Sequence, residues 1–87
     1  MITKELKVTV AVGLHARPAN EFAEIAKSAP FEIVVSKAGG AFIRAHSPLR
    51  LLTLKAKQGE IIVVGCDTQD LELANEYFLR LEKTISE

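Results

Sequence analysis

Eighty-seven residues, 48% of them hydrophobic and 25% charged, describe one small globular domain over 1–87 with a modest core. Eleven basic residues against eleven acidic ones give a formal net charge of zero, which argues against a general nucleic-acid binder or a polybasic membrane-surface protein. Cys66 is the only cysteine, so no internal disulfide and no thiolate metal cluster can form, and neither a signal peptide nor a run of membrane-spanning length is legible. These features fit a reducing cytoplasm.

In chain order, Leu6, Val8 and Val10 alternate with Lys7 and Thr9, which predicts a half-buried strand over 2–10. After a loop at 11–15, Ala19, Phe22, Ala23 and Ala26 recur at helical spacing and predict an amphipathic helix over 16–28. Pro18 fits its first turn, whose amides have no intrahelical partner. Phe31, Ile33 and Val35 alternate with Glu32 and Ser36 as a second strand; Gly39-Gly40 turns the chain and 41–45 returns as a third. Ser47-Pro48 is an N-cap followed by proline at the first helical position, opening a short helix rich in leucine. Of its leucines, Leu51 and Leu54 are expected in the core and Leu49 and Leu52 toward solvent.

Gln58-Gly59 turns the chain again, and the β-branched run Ile61-Ile62-Val63-Val64 predicts a central strand. Asp67 or Thr68 is expected to cap the last helix, with Asp70 and Glu72 in its first turn and Leu71, Ala74, Phe78, Leu81 and Ile85 on its buried face. The order βαββαβα predicts an α+β open-faced sandwich, in which three helices cover one face of a four-stranded, mostly antiparallel sheet.

The chemistry concentrates at Gly13-Leu14-His15-Ala16-Arg17-Pro18-Ala19. A helix N-terminus presents unpaired amides and a partial positive charge to an anion. His15 stands just ahead of that start, so the backbone N–H groups of Ala16 and Arg17 and the Arg17 guanidinium surround it with phosphate-binding groups. Neutral imidazole is a competent nucleophile near neutral pH and a good leaving group from phosphorus. A lone histidine is more often a helix-capping surface residue; here the helix start and Arg17 converge on the same chemistry. Gly13 lets the loop turn tightly beneath it.

The seven-residue run resembles the active-site segment of the histidine-containing phosphocarrier proteins (HPr) of the bacterial phosphotransferase system, and the likeness extends over essentially the whole chain with the same order of elements. The resemblance implies that His15 accepts a phosphoryl group on Nδ1 from phosphorylated enzyme I and passes it to enzyme IIA domains for coupled sugar uptake, with Arg17 neutralising the phosphate. It implies a carrier rather than an enzyme, with no cofactor or metal, and a monomer. It also implies docking on the N-terminal parts of the first and second helices, here Ala16, Asn20, Pro48, Leu49, Leu52 and Thr53, ringed by Arg17, Lys27 and Arg50.

Ser47 aligns with the serine that a dedicated kinase phosphorylates in some members, although a plain N-cap role explains it equally. Several positions depart from the family pattern. Val12 replaces a frequent polar residue that helps orient the histidine. Pro48, Leu49 and Arg50 alter the neighbourhood of Ser47. His46 stands for a frequent lysine, and Lys55 for a frequent helix-ending glycine, so a changed end to the short helix is expected. A serine kinase and a transcriptional regulator are further conceivable partners. The alternatives to sugar transport are a nitrogen-type or transporter-free phosphorelay, and a binding regulator that is never phosphorylated.

Overall fold

The computed structural model describes residues 1–37 and 39–86. Its elements are β1 (Ile2–Lys7), α1 (Ala16–Ser28), β2 (Ile33–Lys37), β3 (Ile43–Arg44), α2 (Pro48–Leu52), β4 (Ile61–Cys66) and α3 (Leu71–Thr84). The four strands form one sheet in the order β1-β4-β2-β3, with every pairing antiparallel. The expected open-faced sandwich is therefore the observed one, and the β-branched run of β4 lies at its centre.

Alternation sorts the two faces of the sheet. Leu6, Val35, Ile62, Val64 and Cys66 point inward, where Phe22 and Ala23 of α1, Leu51 of α2 and Phe78 and Leu81 of α3 bury them in one hydrophobic cluster. Register places Val64 between Lys4 and Val35 and Val63 between Glu5 and Ser36, so the second column of residues belongs to the uncovered face. Ser36, expected as a polar outer position, is nonetheless buried.

Several boundaries differ from expectation. The first strand ends at Lys7 rather than 10, because the Thr9 and Val10 amides leave the sheet and both donate to the Ile85 carbonyl, at 2.9 and 3.0 Å. That carbonyl lies just past α3, among the groups a helix end leaves unpaired. The third strand is confined to Ile43–Arg44 instead of 41–45. The last helix is capped by Asp70, not by Asp67 or Thr68: the Leu73 amide donates to Asp70 Oδ1 at 3.1 Å, while Thr68 Oγ1 accepts from the Asp70 amide at 3.1 Å. Starting there, the helix leaves Leu71 exposed in its first turn, and its buried face is Ala74, Tyr77, Phe78 and Leu81.

Lys55, at which an altered end to the short helix is expected, takes the left-handed conformation just past α2, with φ of 52°. It is the one non-glycine residue with positive φ among those described. A lysine thus bears a conformation that favours glycine. In and just past α2, Leu51 is buried, Leu52 and Leu54 are half-buried, and Leu49 is 76% exposed, so the expected division of the leucines is sharpest at Leu49 and Leu51.

Candidate functional site

His15 is the N-cap residue of α1, with extended backbone angles of −102° and −169°. Its carbonyl accepts from the Ala19 amide at 2.8 Å, but its side chain makes no capping bond. No acidic residue occupies the first turn of the helix. Among the described residues no hydrogen bond engages the Ala16 and Arg17 amides, and Pro18 has none to offer. The start of α1 therefore carries its dipole charge unneutralised, with an exposed imidazole beside it.

Arg17 adds a fixed positive charge where the helix dipole already disfavours one. Its side chain is 89% exposed, and its Nε lies 3.8 Å from Glu21 Oε2, one helical turn on. A cation placed against the dipole, with no acid ahead of it, is an arrangement that an incoming dianion relieves.

The loop that presents His15 is fixed from below. Gly13 has φ of 71°, and a Cβ there would stand 2.8 Å from the Ala56 carbonyl oxygen and 3.1 Å from Lys57 Cα. The Leu14 amide donates to that same carbonyl at 2.8 Å, and the Leu14 side chain is buried. The 55–60 segment beneath is itself tied down. Lys37 Nζ donates to the Lys55 carbonyl at 3.2 Å and pairs with Glu60 at 3.5 Å, and Glu60 Oε1 accepts from the Lys57 amide at 2.7 Å. The hydrogen bond from the Lys57 amide lowers the Glu60 carboxyl from its ordinary value; desolvation, the next largest effect, opposes it, and the charge of Lys37 adds to the lowering.

Two grooves flank His15. One, of about 530 Å³, is lined by Val10, Val12, Arg17, Glu21 and Lys83 beside His15. The other, of about 430 Å³, is lined by Val12, Leu14, Leu52, Lys55 and Lys57. Val12, 65% exposed, contributes to both, and His15 makes no side-chain hydrogen bond among the described residues.

The structure thus brings together His15, Ala16 and Arg17, and adds Leu52 through the second groove. Pro48, Leu49 and Thr53 sit on and just past α2, which packs beside α1, and Asn20 lies on the exposed side of α1. Ser47 caps α2, where its Oγ accepts from the Arg50 amide at 3.4 Å, and it lines neither groove. His46 lines a separate groove with Lys27, Phe31 and Glu32.

The sequence reading did not single out Glu21 or Lys83. Glu21 was legible as the i+4 partner of Arg17. Lys83 reaches the site only through tertiary packing of α3, which no local spacing reveals. Elsewhere, Cys66 is buried, and burial pushes its thiol up to about 11. Among the described residues no group of three or more His, Cys, Asp and Glu is placed to hold a metal ion, and no helix is long and apolar enough to cross a membrane.

Comparison with known proteins converges on one family. The family model described as the PTS HPr component phosphorylation site matches residues 2–84. The chain is 35% identical to the phosphocarrier protein HPr of Haemophilus influenzae over 85 residues, covering 98% of this chain and 99% of that one. It is 38% identical to the phosphocarrier protein HPr of Streptomyces coelicolor over 87 residues, covering 100% of this chain and 90% of that one. Among solved structures, the crystal structure of a phosphocarrier protein HPr from Bacillus anthracis superposes with a TM-score of 0.82 at 26% identity, covering 98% and 96% of the two chains.

Proposed function

Because the chain belongs to the HPr family of the phosphotransferase system, and is by that membership a phosphocarrier rather than an enzyme, we propose that His15 is the residue that carries its phosphoryl group. The observation that supports this most is an exposed imidazole at the N-cap of α1, with no cap bond of its own, next to free amides and Arg17. Nδ1 of the neutral ring attacks phosphorus on phosphorylated enzyme I. The N–P bond to His15 forms as the donor's bond to phosphorus breaks, and the phosphoryl oxygens come to rest against the Ala16 and Arg17 amides and the Arg17 guanidinium. The reverse exchange delivers the group to an enzyme IIA domain. The site needs no general acid: Nε2 keeps its proton throughout, so the ring leaves phosphorus as neutral imidazole when the group is passed on.

Partners of the phosphotransferase system, enzyme I and enzyme II components, follow from the family. The face they meet is, in this reading, the ridge of Leu49, Pro48, Leu52 and Thr53 beside Ala16 and Asn20. Exposed leucine ringed by Arg17 and Arg50 suits brief docking to an acidic surface. The compartment is the cytoplasm, where the single buried thiol stays reduced. Ser47, if a kinase modifies it, would lose the lone-pair geometry that now caps α2 and gain charge beside the docking ridge. The intact His15–Arg17 pair favours a transferring carrier over a regulator that only binds.

Intact mass after incubation with phosphoenolpyruvate, magnesium and catalytic enzyme I tests the assignment. One acid-labile phosphoryl adduct is expected on the wild type and none on His15→Ala. An adduct retained by His15→Ala would defeat the assignment.

A further inference from the structure

Arg17 is not idle in the unphosphorylated protein. It sits one turn before Glu21 with Nε 3.8 Å from Oε2, and Glu21 lines the same groove as His15 and Arg17. The pair runs from one turn of α1 to the next, so its contact draws the guanidinium along the helix toward Glu21. Glu21 also lines the neighbouring groove between α1 and α3, which Lys83 shares, and makes no other ion pair among the described residues.

Resting on the assignment of His15 as the carrier, we infer that Glu21 is a positioning residue that competes with the phosphoryl group for Arg17. While His15 is free, the guanidinium pairs with Glu21. When His15 carries a phosphoryl dianion, the stronger charge takes the guanidinium and Glu21 is released to solvent. No bond to phosphorus changes in this exchange; one ion pair replaces another. The consequence is thermodynamic. Every phosphorylation must break the Arg17–Glu21 contact, so Glu21 lowers the affinity of the carrier for its cargo and speeds its delivery. An exposed i,i+4 pair is weak, and its effect on the equilibrium is about twofold. An effect of that size suits a relay, whose carrier must neither refuse the group nor keep it.

Competition in one tube reads this directly. Uniformly 15N-labelled wild type and unlabelled Glu21→Gln are mixed in equal amounts with limiting phosphoenolpyruvate, magnesium and catalytic enzyme I, and the phosphoryl distribution at equilibrium is read by intact mass. The variant is expected to hold about twofold more phosphoryl than the wild type. The same competition is then run between Arg17→Ala and Arg17→Ala/Glu21→Gln, where a ratio of one is expected because Glu21 has lost the residue it acts through. A ratio of one in the first mixture overturns the inference. So does a twofold ratio in both, which would make Glu21 a directly repelling charge and not a partner of Arg17. A wild type that takes up no phosphoryl at all would defeat the His15 assignment instead, and the same spectra distinguish the two failures. Glu21 is exposed, so Glu21→Gln leaves the core untouched.

Discussion

The Leu14 amide donates to the Ala56 carbonyl at 2.8 Å, and that carbonyl oxygen also stands 2.8 Å from the point a Cβ on Gly13 would occupy. The His15 loop therefore rests on the 55–57 segment at van der Waals limit, with no room for even a methyl group between them.

Gly13→Ala meets this limit twice, through the steric conflict and through its φ of 71°. A left-handed alanine alone costs about 1–2 kcal/mol, and a backbone obstacle cannot swing aside as a side chain can. A loss of about 2 kcal/mol or more is expected, lowering Tm by roughly 10 °C in a domain of this size. Differential scanning calorimetry checks the value, and phosphorylation by enzyme I should slow in the same variant because His15 shifts with its loop.

Lys55 carries the opposite prediction. Its φ of 52° is one that glycine adopts without penalty. Lys55→Gly should stabilise the fold by up to about 1 kcal/mol, after the added freedom of the unfolded glycine is subtracted. The backbone carbonyl that accepts from Lys37 is kept by the substitution. A raised urea midpoint with an unchanged m-value is the expected result.

Two leucines two residues apart should separate stability from docking. Leu51 is fully buried and Leu49 is 76% exposed. Leu51→Ala should cost about 2–5 kcal/mol by opening a cavity. Leu49→Ala should leave stability within about 0.5 kcal/mol and raise the KM of enzyme I for the carrier, since an exposed apolar side chain contributes to association and not to the core. Equal losses of stability in the two variants would contradict the placement of α2.

Cys66 gives the alkaline limit. Its thiol is pushed up to about 11 by burial, above the roughly 8.5 of an unfolded cysteine. Between those values the folded chain holds a proton that the unfolded chain releases, so its contribution to stability is whole below about pH 8.5 and is lost as pH rises through the folded value. Urea midpoints should fall across that window, and Cys66→Ala should flatten the decline. Iodoacetamide should label Cys66 only under denaturing conditions, the thiolate being the reactive form.

Much of this is legible in the sequence alone. The bounds of α1 follow from Ala19, Phe22, Ala23 and Ala26, and the centrality of β4 from its unbroken β-branched run, because both signals are local and periodic. His15 and Arg17 were legible for the same reason: a helix start is written in adjacent residues. What was not legible depends on contacts distant in sequence. Strand β1 stops at Lys7 because Thr9 and Val10 find the Ile85 carbonyl, 75 or more positions later. Asp70 wins the cap of α3 over two neighbours with equally suitable side chains, since the Asp67 amide is drawn to the Glu32 carbonyl and Thr68 Oγ1 to the Asp70 amide. Lys83 joins the His15 groove only when α3 lies against α1.

The strand order β1-β4-β2-β3 has a consequence for how the protein comes into being. The strand that holds the sheet together is the last of the four to be synthesised. Until Ile61–Cys66 leaves the ribosome, β1 has no neighbour and β2 has only the two-residue β3. The His15 loop is equally unsupported until Ala56 and Lys57 arrive. A nascent chain long enough to contain the whole phosphoryl site in sequence therefore does not yet contain it in space, and the carrier becomes competent only once Ile61–Cys66 has been made and paired.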